Sequence, residues 1–173
     1  MRAATGTLVS IDGTNGGAVA AAARSLQTDG RRGAGISEWD ASGLFEDLAV
    51  AKEDAGAPSS RSLLLLYAAD LAFRLRWEIR PALAQGRVVI AAPYVKTAIA
   101  FGRATGLPGG WLRHLFRFAP HANESHRIDA LLAHVSDRKG FVEFGCDRLA
   151  GSRAALTGRQ LMDRAGRYLK TRT

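Results

Sequence analysis

Residues Thr7–Ala21 constrain the fold of this chain more than any others. Leu8-Val-Ser-Ile-Asp12 is an apolar strand, Gly13-Thr-Asn-Gly-Gly17 is a glycine cluster, and an alanine-rich helix follows at once. This is the strand–loop–helix layout of a phosphate-binding loop, in which glycines let backbone N–H groups and a helix N-terminus face a phosphate. Laid on Gly13 to Ala20, the working pattern G-x-x-x-x-G-K-[ST] keeps its first glycine and little else. Its second glycine falls on Ala18, its lysine on Val19 and its hydroxyl residue on Ala20. The frame survives without its chemistry.

A length of 173 residues suits one compact domain spanning residues 1–173. An apolar share of 47% with mixed charges reads as soluble and globular. No apolar run approaches a membrane span, and Asp12 interrupts any signal-peptide plan early. Cys146 is the single cysteine, so no internal disulfide forms and a cytoplasmic location is expected. The charge is uneven. Residues 1–60 carry 5 basic and 8 acidic groups, and residues 61–173 carry 19 and 8. Such a balance attracts phosphates, nucleic acid or an acidic protein partner, although an ordinary solvated basic surface is the plainer reading.

Along the chain, Leu8–Asp12 predicts a strand and Ala18–Gln27 a helix. Gly30–Gly35 is a basic connection, and Ile36–Trp39 a second strand. Asp40 or Ser42 can cap a helix through Phe45, Leu48 and Val50. After the break at Gly56–Ser60 comes the longest helix, Ser60–Gln85, which Pro81 should kink or end. Arg87–Ala91 is a continuous apolar strand of the kind found in parallel sheets. Helices at Lys96–Thr105 and Trp111–Phe118 follow, then a polar, irregular stretch, a helix at Ile128–Val135 and a short edge strand at Phe141–Phe144. Thr157-Gly-Arg-Gln160 is a capping box for a last helix to about Lys170, with a basic outer face of Arg159, Arg164, Arg167 and Lys170. This alternation predicts an α/β domain with a parallel sheet flanked by helices.

Three further stretches resemble the thymidylate kinase family. Leu63-Leu-Leu-Leu-Tyr-Ala-Ala-Asp70 is similar to its helix L-L-F-A-A-D-R, and Arg80–Ile90 to its approach to strand three. Ala92-Pro-Tyr-Val-Lys-Thr-Ala-Ile-Ala-Phe101 stands where the family has D-R-Y, a serine and A-Y-Q. Glu143-Phe-Gly-Cys-Asp147 is a weaker echo of E-x-G-x-D. The resemblance implies a P-loop NTPase-like three-layer fold, with the family's lid and fourth strand reduced because no apolar run ends in an aspartate after Phe118.

The resemblance also implies what has been lost. Val19 replaces the loop lysine, Ala20 the Mg²⁺ hydroxyl, Ala92 and Pro93 the Asp-Arg pair, and Leu71 the arginine beside thymine. The vestigial loop is Asp12, Gly13, Thr14, Asn15, Gly16, Gly17, Ala18, Val19 and Ala20. Candidates for a substrate pocket are Tyr67 (matching the aromatic residue that stacks on the base), Asp70, Tyr94, Thr97 and Phe101. Tyr67 and Phe101 also suit a core, and Asp70 in a buried helix needs a partner. Phosphoryl transfer needs much positive charge around the moving group, and its joint loss here points to a pseudo-kinase.

The alternatives are a live kinase, using ATP and Mg²⁺ with Arg103 or Arg153 as a displaced cation, and a basic protein- or nucleic-acid-binding module. His114, His121, His126 and His134 fit no zinc spacing. The family resemblance further implies a homodimer through the Ser60–Gln85 helix, with Leu66, Phe73 and Trp77 on one face.

Overall fold

The computed structural model describes residues 6–29, 33–50, 58–128, 140–149 and 157–171. Four parallel strands form one sheet in the order β2-β3-β1-β4. They are β1 (Thr7–Gly13), β2 (Gly35–Glu38), β3 (Val88–Ala92) and β4 (Glu124–Ile128). β1 and β3 are the central pair, in register from Thr7 opposite Val88 to Ser10 opposite Ala91.

Period-two alternation in β1 divides the core. Val9 and Ile11 pack with Ile90, Ala92, Val19 and Ala23 under helix α1 (Gly16–Asp29). Leu8 faces the other way, into the larger core of α3 (Ser60–Arg74), α5 (Val95–Ala104), α6 (Gly109–Leu115), α7 (Phe141–Leu149) and α8 (Gly158–Lys170). The result is the three-layer α/β architecture that the alternation of elements predicts.

Local signals set several boundaries. The Ser59 hydroxyl accepts the Ser62 amide at the start of α3. Both halves of the Thr157–Gln160 capping box are formed at α8. Asp40 adopts φ 59°, which Asp tolerates better than most residues, and its carboxylate caps α2 (Leu44–Val50) through the amides of Phe45 and Glu46. Pro81 does not end the long helix. A π turn at Leu75–Ile79, in which the Arg80 amide reaches back to Leu75, carries the chain into α4 (Arg80–Ala84). The wider turn accommodates a residue that has no N–H to donate.

Two expectations are corrected. The polar stretch read as irregular contains a strand: β4 pairs with β1 from Val9 opposite Glu124 to Gly13 opposite Ile128. It has only one neighbour among the described residues, and an edge strand tolerates the polar sequence Glu-Ser-His-Arg-Ile. Residues Phe141–Phe144 are helical, because the Gly140 carbonyl accepts the Phe144 amide while Glu143 caps the Gly140 amide. The helix expected over Ile128–Val135 lies, beyond Ile128, outside the described residues. So do Arg153, His134, residues 30–32 of the basic connection, and residues 129–139, where a lid would follow β4.

Candidate functional site: the glycine loop

The turn after β1 is short. Asn15 caps α1 by accepting the Ala18 amide on Oδ1 at 2.8 Å, so the helix opens at Gly16. Val19 is a full turn further on, 2% exposed and packed in the α1-side core. The residues at the helix opening are therefore Asn15, Gly16 and Gly17, three positions earlier than the frame laid on Gly13–Ala20. Gly17 and Ala18 are buried like Val19, and Ala20 is half-buried.

An anion already occupies this opening. Glu143 Oε2 accepts the Gly16 amide at 3.0 Å and the Gly140 amide at 2.6 Å, and the Asn15 side-chain amide reaches Oε1 at 3.4 Å. One carboxylate thus sits at the positive ends of both α1 and α7. The backbones behind it touch. A Cβ on Gly16 would collide with the Gly140 amide nitrogen and Cα, and a Cβ on Gly140 would lie 2.6 Å from Gly16 Cα. Gly16, Val19, Glu38, Trp39, Ala92 and Pro93 bound a remaining cleft of about 20 Å³, room for one water molecule.

Asp12 joins the loop to the start of α5. Its Oδ1 accepts the Tyr94 amide at 3.1 Å, the Thr97 amide at 2.9 Å and the Thr97 hydroxyl at 2.9 Å. The Thr97 hydroxyl oxygen accepts the Gly13 amide in turn. Burial raises the Asp12 carboxyl above its ordinary value of 3.8, against these hydrogen bonds and the Lys96 charge. Thr14 is also buried. The Tyr94 hydroxyl donates to Pro120 O at 2.8 Å, and burial raises it well above the ordinary phenol range.

The aromatic candidates are core residues. Tyr67 is fully buried, donates to Tyr94 O at 3.0 Å, and lies 4.4 Å between ring centroids from Phe141. Phe101 meets the same Phe141 ring at 5.1 Å. Phe141 therefore covers Tyr67, the residue that family resemblance would place against a base. Asp70 is structural too. It accepts the amides of Asp40 and Ser42 and the Ser42 hydroxyl, holding the turn after β2. None of Tyr67, Asp70, Thr97 or Phe101 lines the loop cleft.

Three residues went unforeseen in the sequence. Glu143 reaches the loop across 127 positions, and Phe141 reaches Tyr67 from far along the chain, relationships with no local signal. Arg74 is fully buried, donating to Ser37 Oγ, Ser37 O and Pro93 O and standing 3.9 Å from Asp70. Its i, i+4 spacing from Asp70 on an apolar helix was the available clue. Cys146 is buried and its thiol pushed up to about 12 by burial, which keeps it unreactive. No metal-binding group of His, Cys, Asp or Glu occurs among the described residues. Nor does any helix there reach the length and apolarity of a membrane span.

A parallel sheet with a glycine loop after its central first strand defines a P-loop kinase-like α/β protein. The thymidylate kinase from Ehrlichia chaffeensis has a similar fold, with a TM-score of 0.60 and 18% identity over 72% of this chain and 75% of that one. In sequence, the chain is similar to probable thymidylate kinases from Pyrococcus abyssi and Pyrococcus horikoshii. Each is 38% identical over 65 residues, 38% of this chain and 32% of theirs. A probable thymidylate kinase 2 from Saccharolobus solfataricus is 28% identical over 120 residues, 68% of this chain and 56% of its own. No family model matches. The chain spans about a third to just over half the length of these curated relatives. It is thymidylate-kinase-like in sequence and in fold.

Proposed function

We propose that the chain is a thymidylate-kinase-like pseudo-kinase, unable to convert dTMP to dTDP, that serves as an interaction module with weak nucleotide affinity at most. The observation that carries this reading is the Glu143 carboxylate on the Gly16 amide. A phosphate would have to displace it from the same donor, and the adjoining cleft holds about 20 Å³. Among the described residues, that cleft is lined by Glu38 and by no cation. Each charge-stabilising group lost from such a site costs roughly 10²–10³ in rate, and several are missing together.

The interaction role is supported by an apolar stripe on α3 and the π turn. Leu65, Phe73 and Trp77 are 50%, 40% and 65% exposed, while Leu66 is half-buried. A twofold homodimer would set this stripe against its own copy. The test is an assay of purified protein with dTMP, ATP and Mg²⁺, paired with calorimetric titration of each nucleotide. The expected result is no dTDP, and dissociation constants above about 1 mM, the weak end of ligand affinity. Turnover of roughly 1 s⁻¹ or more, within the ordinary enzymatic range, would overturn the proposal.

A further inference from the structure

We propose that the groove between α5, the end of β4 and the last turn of α8 binds a small anion bearing consecutive phosphate groups. It shares no lining residue with the glycine-loop cleft. The groove measures about 300 Å³, at the lower end of small-ligand sites. Lys96, Arg103, Arg127 and Lys170 line it, and among the described residues no carboxylate does. The loop cleft has the opposite character, with Glu38 and, among the described residues, no cation.

Arg103 is the held member of the set. Its guanidinium carbon lies 4.9 Å from the centre of the Tyr168 ring, and its other side abuts Gly109, where a Cβ would come within 2.9 Å of Nη1. A guanidinium fixed in this way loses little freedom on meeting a phosphate, and its planar fork suits phosphate oxygens. A hydrogen bond with Arg164 first, then the Arg164 charge and contact with Arg103, hold the Tyr168 phenol below its ordinary value.

Spacing selects the ligand. Lys96 and Arg103 are seven residues apart on α5, about 10 Å of helix, which suits two or three phosphates in a row rather than one. A single-stranded nucleic acid would look for open aromatic faces. The ring in this groove, Tyr168, already carries Arg103 on one face.

The test is calorimetric titration of the full chain with orthophosphate, inorganic triphosphate and ATP at about 0.1 M salt, where long-range attraction is largely screened. Triphosphate should bind at least about tenfold tighter than orthophosphate. Lys96→Gln and Arg103→Gln should each weaken it about tenfold, the worth of one charge-assisted hydrogen bond. Lys96 is exposed, so its variant reports even if Arg103→Gln folds poorly. Equal affinity for triphosphate and ATP assigns an inorganic polyphosphate, and tighter ATP assigns a nucleotide; either sustains the proposal. Arg159→Gln removes the same charge from the exposed start of α8 and should change nothing. An equal loss in that variant would reduce the binding to net charge and overturn the proposal. So would failure of triphosphate to bind at millimolar concentration, or an oligonucleotide that binds more tightly through Lys96 and Arg103.

Discussion

Glu143 and Gly16 meet at 3.0 Å, a carboxylate oxygen on the amide that opens α1. The same oxygen takes the Gly140 amide, so two helix N-termini depend on one side chain. Removing it leaves two partly buried donors without their acceptor. Glu143→Ala should lower the unfolding free energy by about 2 kcal/mol, the cost of orphaned donors to a charged group. Glu143→Gln keeps an acceptor oxygen and should lose about half as much. Urea denaturation of the three proteins measures both. Equal stability of the alanine variant would mean that the contact carries no weight.

Lysine should not restore catalysis at either loop position. At Val19 the side chain would enter the α1-side core, and Val19→Lys should destabilise the fold by several kcal/mol through an unpaired buried charge. At Gly16 any Cβ collides with Gly140, so Gly16→Lys should push α7 away and lower the melting temperature. Neither variant should form dTDP in a coupled assay. Activity in Val19→Lys would show that the side chain can leave the core for a phosphate.

Asp12 makes stability depend on pH in a defined direction. Burial raises its folded pKa, so the folded protein keeps a proton that the unfolded chain releases near 3.8. The folded state binds more protons in that window, and stability therefore falls as pH rises from 3.8 through the raised value. Oδ2 has no hydrogen-bond partner, whereas Oδ1 accepts all three donors. Asp12→Asn keeps the acceptor and removes the charge. Its stability relative to the native protein should improve between pH 4 and pH 7, measured by denaturant titration at both values. A difference that does not change with pH would contradict the assignment.

Trp77 tests self-association. It is 65% exposed, one helical turn from Phe73, which is 40% exposed. In a twofold interface Trp77→Glu places like charges in one apolar contact, and light scattering should show a dimer becoming a monomer at micromolar concentration. A native protein that is already monomeric there would end the dimer proposal.

The sequence was most informative where structure is local. The Thr157 capping box and the apolar runs of β1 and β3 each carry their instruction within a few residues, and each formed as read. It misled where an apolar pattern was short. Phe-Val-Glu-Phe at 141–144 is rich in residues that favour strands, yet the glycine before it and the glutamate three residues on cap a helix. β4 escaped notice for the opposite reason, since an edge strand with Glu124, Ser125 and Arg127 need not be apolar. At the site, Val19, Ala92 and Pro93 were legible as departures from the family's lysine and Asp-Arg pair. The packing of Glu143 on Gly16 and of Phe141 on Tyr67 was not, because no spacing rule links those positions.

The Gly16–Gly140 contact acts as a ratchet in sequence space. Two backbones stand where neither residue can gain even a methyl group without moving the other. A side chain at Gly16 and the present placement of Gly140 exclude each other. Any path from one to the other must change Gly16 and the placement of Gly140 together, and must retire Glu143 as well. A variant that makes only one of these changes is less stable and gains no phosphate donor. A side chain at Gly16 therefore requires a concerted change at Gly140, and libraries that sample one position at a time will miss it.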